Sequence, residues 1–400
     1  MWLRIGLFTE SFPPVIDGVS NAVLSYAKTI QKNHGESIVV MPRYENAFDD
    51  YPFQVIRYDS VGTPNQMSYR AGNPFDFKTI KRLRKQRFDL IHIHSPFVSS
   101  ILANMLVRKK EIPIVVTYHT KFDLDFEERF DIPLFRKIAL SFVLGNIKAA
   151  DEVWAVSKGA GESLRQIGYT GQYYVMENGT DFVRGITPQQ EQDALFCGQY
   201  GVAPEELVFV YVGRMMWYKN IKLIIDTLAL ATARGLSYRV FFVGDGLELE
   251  EIKQYAEQAG ISSWSVFTGA VSDREELRKY YSRADLFLFP STFDTSGLVV
   301  KEAAACDCPS LLTRGSCAAE DVEDGINGYL AEENPESMCS RLVQAVADRE
   351  QLRKAGKAAG EQIYLSWDDA VAKAYARYEM LVAQWRSKPK EHFWNRKAKK

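Results

Sequence analysis

Few cysteines, no long apolar run and almost no net charge narrow what this chain of 400 residues can be. The five cysteines, Cys197, Cys306, Cys308, Cys317 and Cys339, are odd in number and lack Cys-x-x-Cys spacing, so neither a disulfide framework nor a cysteine-rich zinc site is expected. Reduced thiols in the cytoplasm fit that pattern. The opening apolar run, Leu3 to Thr9, is too brief for the core of a signal peptide and reads as a buried strand. The longest apolar stretch, Ile138 to Ile147, is broken by Ser141, Gly145 and Asn146 and reads as a core or interfacial helix, not as a membrane span. Lys and Arg total 49 against 51 Asp and Glu, a net charge of -2, which gives no electrostatic reason for a nucleic-acid partner. Any basic surface must be local.

What is present is ample core-forming material, 46% hydrophobic and 12% aromatic residues, in a chain long enough for about two to three ordinary domains. Short runs rich in β-branched and aromatic residues recur at Arg4 to Thr9, Ser37 to Met41, Leu90 to His94, Ile114 to His119, Glu152 to Val156 and Tyr173 to Met176. Between them, apolar residues recur at helical spacing over Asn21 to Lys32, Pro74 to Lys85, Phe97 to Lys109 and Lys158 to Gln166. Strands alternating with helices predict a parallel sheet, and right-handed crossovers wind it on both faces, with ligands beyond the carboxyl ends of the strands.

Residues 184–206 are polar and contain Pro188 and Pro204, which reads as a connection. A second alternation follows, with strands at Leu207 to Val212, Tyr238 to Val243, Ser265 to Thr268, Leu286 to Phe289 and Ser310 to Thr313. The expected organisation is therefore an α/β chain of two doubly wound domains, 1–183 and 207–365, then a helix over 366–385 that returns to the first domain and a basic tail over 386–400.

The richest chemistry lies between Asp285 and Pro309, where a strand leads through a loop with Asp294, Ser296 and Gly297 into a helix beginning at Leu298 and Val299. Free backbone N–H groups at such a helix start suit a phosphate, and carboxylates at Asp294 and Glu302 accept well from sugar hydroxyls. Carboxylates near helix starts are also ordinary caps, so the loop alone does not decide. Arg214, following Gly213 at the end of a strand, and Lys219 five residues later add a fork of donors and a mobile point charge that together suit a diphosphate.

Three other patterns have plainer readings. Asp123-Leu124-Asp125 has the spacing of a metal-diphosphate motif but lies in an acidic stretch. His92 and His94 alternate along a strand and fit structural histidines better than a metal pair. Gly244-Asp245-Gly246 follows a strand without the third glycine of a dinucleotide turn.

Taken in order, Val212-Gly213-Arg214 with Lys219, Val243-Gly244-Asp245-Gly246, Pro290-Ser291 and Asp294-x7-Glu302 resemble the pattern of retaining GT-B glycosyltransferases of family four, the glycosyl transferases group 1. The segment Gly315 to Gly328 looks like that family's Gly-rich stretch with its Asp-Gly-x-Asn-Gly turn, and the resemblance covers both halves. It implies a GT-B fold, two Rossmann-like domains facing a central cleft, the first binding an acceptor and the second a nucleotide-sugar donor. It implies Arg214 and Lys219 on the donor diphosphate, Glu302 on the ribose and Asp294 beside the sugar. Gly213, Gly244, Ser296, Gly297, Leu298 and Val299 complete the implied donor site. In the first half, Gly18 matches the loop glycine that lets backbone approach the phosphate, and His119 in Thr117-Tyr118-His119-Thr120 matches the sugar-facing histidine. His119, Arg214, Lys219 and Asp294 are thus the implied catalytic set, with no metal and no cofactor besides the donor. The chain departs from the family pattern at Asp17, where many members have glycine, at Asp294, where glutamate is usual, and at Asp307, where glycine commonly follows the Ala-Cys pair.

For the acceptor, the run Phe8 to Ser20 with His94-Ser95-Pro96-Phe97 most resembles bacterial diacylglycerol glycosyltransferases. Lys78, Lys81, Arg82, Arg84, Lys85 and Arg87, and a tail with Phe393 and Trp394, would suit an anionic membrane surface, placing the enzyme at the inner face of the membrane. The alternative for these charges is a solvated helix face and a disordered tail. A soluble sugar or surface polysaccharide acceptor stays open, as do a non-catalytic sugar-nucleotide-binding protein and a sugar-nucleotide epimerase.

Overall fold

The computed structural model describes residues 1–15, 17–45, 47–62, 70–110, 112–129 and 132–387. The expected tail, with Phe393 and Trp394, lies outside the described residues from 388 onward.

The first half contains strands β1 (Arg4–Phe8), β2 (Glu36–Pro42), β3 (Gln54–Tyr58), β4 (Ser60–Gly62), β5 (Arg70–Gly72), β6 (Leu90–Ile93), β7 (Ile114–Tyr118), β8 (Glu152–Ala155) and β9 (Tyr173–Val175). Its helices are α1 (Gly18–Thr29), α2 (Phe77–Lys85), α3 (Val98–Lys110), α4 (Phe122–Arg129), α5 (Pro133–Lys148) and α6 (Lys158–Gln166). Seven strands form one parallel sheet in the order β3-β2-β1-β6-β7-β8-β9, while β4 and β5 pair apart from it. The chain starts mid-sheet and winds outward first to β2, then to β6, so the switch in strand order lies between β1 and β6. Side chains decide where helices start: Asp17 accepts from Ser20 N, Asp76 from Thr79 N and Ser157 from Ala160 N.

The second half follows a short helix, α7 (Gln189–Asp193). Its sheet has β10 (Val208–Val212), β11 (Arg239–Val243), β12 (Ser265–Gly269), β13 (Leu286–Phe289), β14 (Ser310–Thr313) and β15 (Tyr329–Ala331), all parallel in the order β12-β11-β10-β13-β14-β15. The helices are α8 (Ile221–Ala233), α9 (Leu249–Gln258), α10 (Arg274–Arg283), α11 (Leu298–Ala305), α12 (Pro335–Ala347) and α13 (Arg349–Gln362). Here the switch lies between β10 and β13. Strands such as β10, buried at every residue, read as unbroken apolar runs because helices cover both faces.

The chain crosses between halves twice, and the crossings are hydrogen-bonded to each other. Thr180 N donates to Leu365 O at 2.8 Å, and Trp367 N to Thr180 O at 3.2 Å. Gly179 allows this approach, since a methyl there would lie 2.6 Å from the Ser366 carbonyl carbon. The last helix, α14 (Trp367–Ser387), then packs on the first domain. Tyr378 stacks on Trp154 with ring centroids 5.2 Å apart, Tyr375 accepts from Leu3 N at 2.8 Å, and Arg377 donates to both carboxylate oxygens of Glu152.

Two local expectations differ, and a third is narrowed. Residues 184–206 are not merely a connection: Phe196 and Val202 are buried in the second core, because α7 and a following wide helical turn, Ala194–Gln199, form an amphipathic edge. Strands β3 and β15 escape the sequence pattern because both are short edge strands, and β3 interleaves Gln54 and Arg57 with apolar residues. The stretch around Ile138 is helical, as α5, with only Val143 and Ile147 buried. Among the described residues, no helix is long and apolar enough to cross a membrane.

Candidate active site

Both switch points open onto the space between the halves, and loops from both line it. At the end of β10, Gly213 N donates to Val243 O at 3.1 Å and Met215 N to Asp245 O at 3.0 Å, clamping the Arg214 backbone. A methyl on Gly244, whose φ is +144°, would lie 1.9 Å from Gly213 O, so glycine is required there for one loop to rest on the other. That packing is a sufficient reason for Gly244 without a ligand. The exposed Arg214 has no ion pair among the described residues and lies 5.7 Å from the Tyr218 ring. Lys219 is buried, and its Nζ donates to Asp294 Oδ1 at 2.6 Å.

Asp294 follows β13 on the opposite loop, where its Oδ2 accepts from Ser291 at 2.5 Å. Burial pushes the Asp294 carboxyl upward, but Lys219, Ser291 and Arg214 outweigh that and hold it below the usual range. Gly297 then takes the left-handed conformation, with φ +53°, to start α11, and a methyl there would be 2.7 Å from Ala318 Cβ. The N–H groups of Leu298 and Val299 have no intrahelical acceptor, so the helix start is a ready anion site two residues beyond Ser296.

One turn into α11, Glu302 accepts from Arg274 at 2.7 Å through Oε1 and from Tyr281 at 2.9 Å through Oε2. Burial raises its pKa, opposed by Arg274 and Tyr281. Each carboxylate oxygen retains further accepting capacity. Arg274 also pairs with Asp181, beside the crossing at Thr180, and its guanidinium lies 4.2 Å from the Phe182 ring.

From the first domain, Gly18 begins α1 directly after β1 and its loop. Among the described residues, the only atom near a methyl on Gly18 would be a Leu298 side-chain carbon, 3.8 Å away. Gly18 therefore faces the start of α11, and no contact among the described residues requires a glycine there. Asp17, a departure from the family pattern, has a structural role: it caps α1 through Ser20 N and accepts from Ser11 at 2.7 Å. His119 follows β7; its ring contacts His94 at 2.9 Å and its carbonyl accepts from Thr295 at 2.7 Å across the cleft. Burial lowers the His119 pKa to about 4, against an upward pull from Asp17, so the ring is neutral near pH 7.

The cleft thus gathers Gly18, His119, Arg214, Lys219, Asp294, Ser296 and the start of α11. Ser296 accepts from Asn178 at 3.4 Å. Several contacts across the cleft have no motif to announce them. Lys121 donates to Thr292 O at 2.7 Å, and Glu320 accepts from Lys158 N at 2.7 Å and Gly159 N at 2.5 Å at the start of α6. A methyl on Gly159 would lie 2.7 Å from Cys317 Sγ, so this glycine admits the docking segment. Arg274 and Tyr281 were equally invisible as site residues, because they lie on α10 and meet Glu302 only in three dimensions.

The remaining patterns are absorbed by packing. Asp123 and Asp125 lie in the first turn of α4, two residues apart and hence on different sides of the helix. His92 bonds Thr117 at 2.6 Å and Tyr378 at 2.5 Å. The Nε2 of His94 is buried without a partner among the described residues.

Comparison with known proteins gives this geometry its context. The family described as Glycosyltransferase Family 4 matches residues 16–184, and that described as Glycosyl transferases group 1 matches residues 197–362. The chain is 24% identical over 317 residues to an alpha-monoglucosyldiacylglycerol synthase of Streptococcus pneumoniae, covering 77% of this chain and 70% of that protein. It is 26% identical over 333 residues to a GDP-mannose-dependent alpha-mannosyltransferase of Corynebacterium glutamicum, covering 82% and 76%. The crystal structure of Anabaena HepE in complex with UDP superposes with a TM-score of 0.76 at 20% identity, over 95% of this chain and all of that one. The shared architecture is GT-B.

Proposed function

The chain belongs to the group 1 and family 4 glycosyltransferases, and from that membership we propose that it moves a hexose, with retention, from a nucleoside-diphosphate sugar to a hydroxyl of a diacylglycerol-type lipid. The observation that carries the transfer reading is the meeting of the unpaired Arg214 fork, buried Lys219 and the open start of α11 at one point of the cleft. A departing diphosphate develops negative charge, and groups already fixed there stabilise it without reorganising.

In this reading the diphosphate lies between Arg214, Lys219 and the N–H groups of Leu298 and Val299, and close to Gly18, whose missing side chain leaves room for it. Glu302 accepts from the ribose hydroxyls while Arg274 keeps it ionised. Asp294 and neutral His119 face the sugar. The acceptor hydroxyl approaches from the leaving-group side, which gives retention. The two cations and the helix start supply the charge neutralisation, so the reaction proceeds without a divalent metal.

The lipid acceptor is supported by similarity to a protein named as a glucosyldiacylglycerol synthase. A relative named as an N-acetyl-alpha-D-glucosaminyl L-malate synthase keeps a soluble acceptor as the second reading. The test is nucleoside diphosphate release from UDP- and GDP-sugars, with and without diacylglycerol vesicles, in the presence and absence of a chelator. Lipid-dependent release that survives chelation and yields an α-linked glycolipid is expected. Tight donor binding with no release to any acceptor overturns the transfer reading.

A further inference from the structure

The first domain leaves one apolar helix stripe uncovered. In α5, Leu134, Phe135, Ile138 and Phe142 are 62%, 53%, 56% and 44% exposed. They fall on a single stripe, at three- and four-residue spacing. The cause is length. A helix of 16 residues is about 24 Å long, whereas the four residues of β8 rise about 13 Å. The far end of α5 is tied to the foot of the sheet, where Asp151 accepts from Ile114 N at 2.9 Å and Val143 and Ile147 enter the core. The first turns of α5 therefore overhang the carboxyl ends of the strands, at the rim of the cleft.

Helix α2 lies on the same face of the sheet, since Ile80 and Leu83 share one core with Leu102 of α3 and Val143 and Ile147 of α5. Its start adds Phe75 and Phe77, 64% and 73% exposed. Beyond them, Lys78, Lys81, Arg82, Arg84, Lys85 and Arg87 are all exposed, and none is in an ion pair among the described residues. No acidic residue occurs between Phe77 and Phe88. An apolar rim beside unpaired cations matches the two layers of an anionic bilayer surface: acyl chains below, phosphates above. A second copy of the chain fits poorly, because an isologous contact through this face would bury both sets of α2 cations together.

We propose that the α2–α5 face of the first domain docks on an anionic lipid bilayer. The α5 stripe and the two phenylalanines enter the acyl boundary, and the α2 cations hold headgroup phosphates. The cleft mouth then opens at the membrane surface, where a lipid acceptor can enter. The proposal rests on the lipid-acceptor reading for its purpose, though its test does not.

The test is flotation of the full chain with vesicles of phosphatidylglycerol and phosphatidylcholine, against phosphatidylcholine alone, at low and high salt. Binding that needs phosphatidylglycerol and weakens with salt is expected. A Leu134→Glu, Phe135→Glu, Ile138→Glu variant should lose at least tenfold in vesicle affinity, as should Lys81→Glu, Arg84→Glu, Lys85→Glu, while both keep normal donor binding. Normal donor binding shows that the variants are folded. Vesicle affinity unchanged in both variants overturns the proposal. So does a concentration-dependent dimer that the apolar variant abolishes, with no vesicle binding by the unaltered chain. Docking without any glycolipid product would sink the lipid-acceptor reading alone; glycosylation of a dispersed short-chain lipid without docking would sink only this proposal.

Discussion

Arg274 donates to Glu302 at 2.7 Å, and with the same guanidinium nitrogen it pairs with Asp181. Asp181 adjoins Thr180, where the two crossings between domains bond to each other. The carboxylate assigned to the donor ribose is therefore one ion pair away from the pivot of the molecule.

Arg274→Met removes the partner of a largely enclosed carboxylate, so Glu302 should take up a proton more readily and hold ribose poorly. The expected result is a rise in donor KM of about tenfold, on the scale of a charged hydrogen bond, with a smaller change in kcat. Arg274→Lys should recover part of it. Steady-state kinetics with the donor varied decide the matter, and an unchanged donor KM for the Met variant removes Arg274 from the site.

Arg214→Ala and Lys219→Ala should each lower turnover by about 10²-fold or more if both stabilise the departing diphosphate. They should differ in stability. Arg214 is exposed and has no ion pair among the described residues, so its loss leaves the urea midpoint unchanged; loss of Lys219 strands half-buried Asp294 and lowers it. Near-normal turnover in both variants would refute the assignment.

Gly18→Ala and Gly297→Ala separate a glycine kept for a ligand from one kept for the fold. Among the described residues, a methyl at Gly18 meets only Leu298, at an ordinary 3.8 Å, so the variant should fold normally and bind donor weakly. A methyl at Gly297 would be 2.7 Å from Ala318 Cβ with φ at +53°, so that variant should lose thermal stability. Calorimetry and donor titration read the two effects; normal donor affinity in Gly18→Ala would show that the phosphate does not approach there.

Glu320 bridges the domains by accepting from the first N–H groups of α6, where the helix dipole favours a carboxylate. Glu320→Ala should favour the open form, seen as a larger radius of gyration in solution scattering, with slower transfer and little change in thermal stability. Identical scattering profiles for the two proteins would show that the contact does not hold the cleft closed.

Acid should weaken the fold well before ordinary carboxylates titrate. Burial lowers the pKa of His92, His94 and His119, the last to about 4. The unfolded chain binds protons at these positions near pH 6.5, so their stabilisation is present above that value and is lost as pH falls toward the folded values. Glu10 acts in the opposite sense: burial raises it to about 7, so folding takes up one proton in the same range. Three histidines on the unfolded chain take up protons against one taken up by folded Glu10, so stability should fall as pH drops from about 6.5 toward 5. Urea midpoints across that range test the slope, which Glu10→Gln should steepen; a flat profile would show that the histidines are not held neutral.

Much of the architecture is legible in the linear chain because its causes are local. Apolar runs such as Val208 to Val212 and the caps Asp17, Asp76 and Ser157 set strands and helix starts through neighbours a few residues away. The diphosphate-binding candidates are legible for a similar reason: Gly213-Arg214, Lys219 and the loop from Asp294 into α11 each follow a strand end, where a doubly wound sheet places its ligands. Edge strands β3 and β15 are not, because half of their pattern is written in the strand beside them.

What the tertiary structure alone decides is which distant groups share a charge or a surface. Arg274 reaches Glu302 from another helix, Glu320 reaches α6 from another domain, and Asp17 becomes a cap where the motif expects glycine. The α5 stripe is the clearest case. In sequence, Ile138 to Ile147 reads as a core or interfacial helix; which of its apolar residues stay exposed is decided by how far the helix outruns the short strands beneath it. Periodicity gives each helix a face, but burial depends on whether another element reaches it, and that is a property of the whole fold.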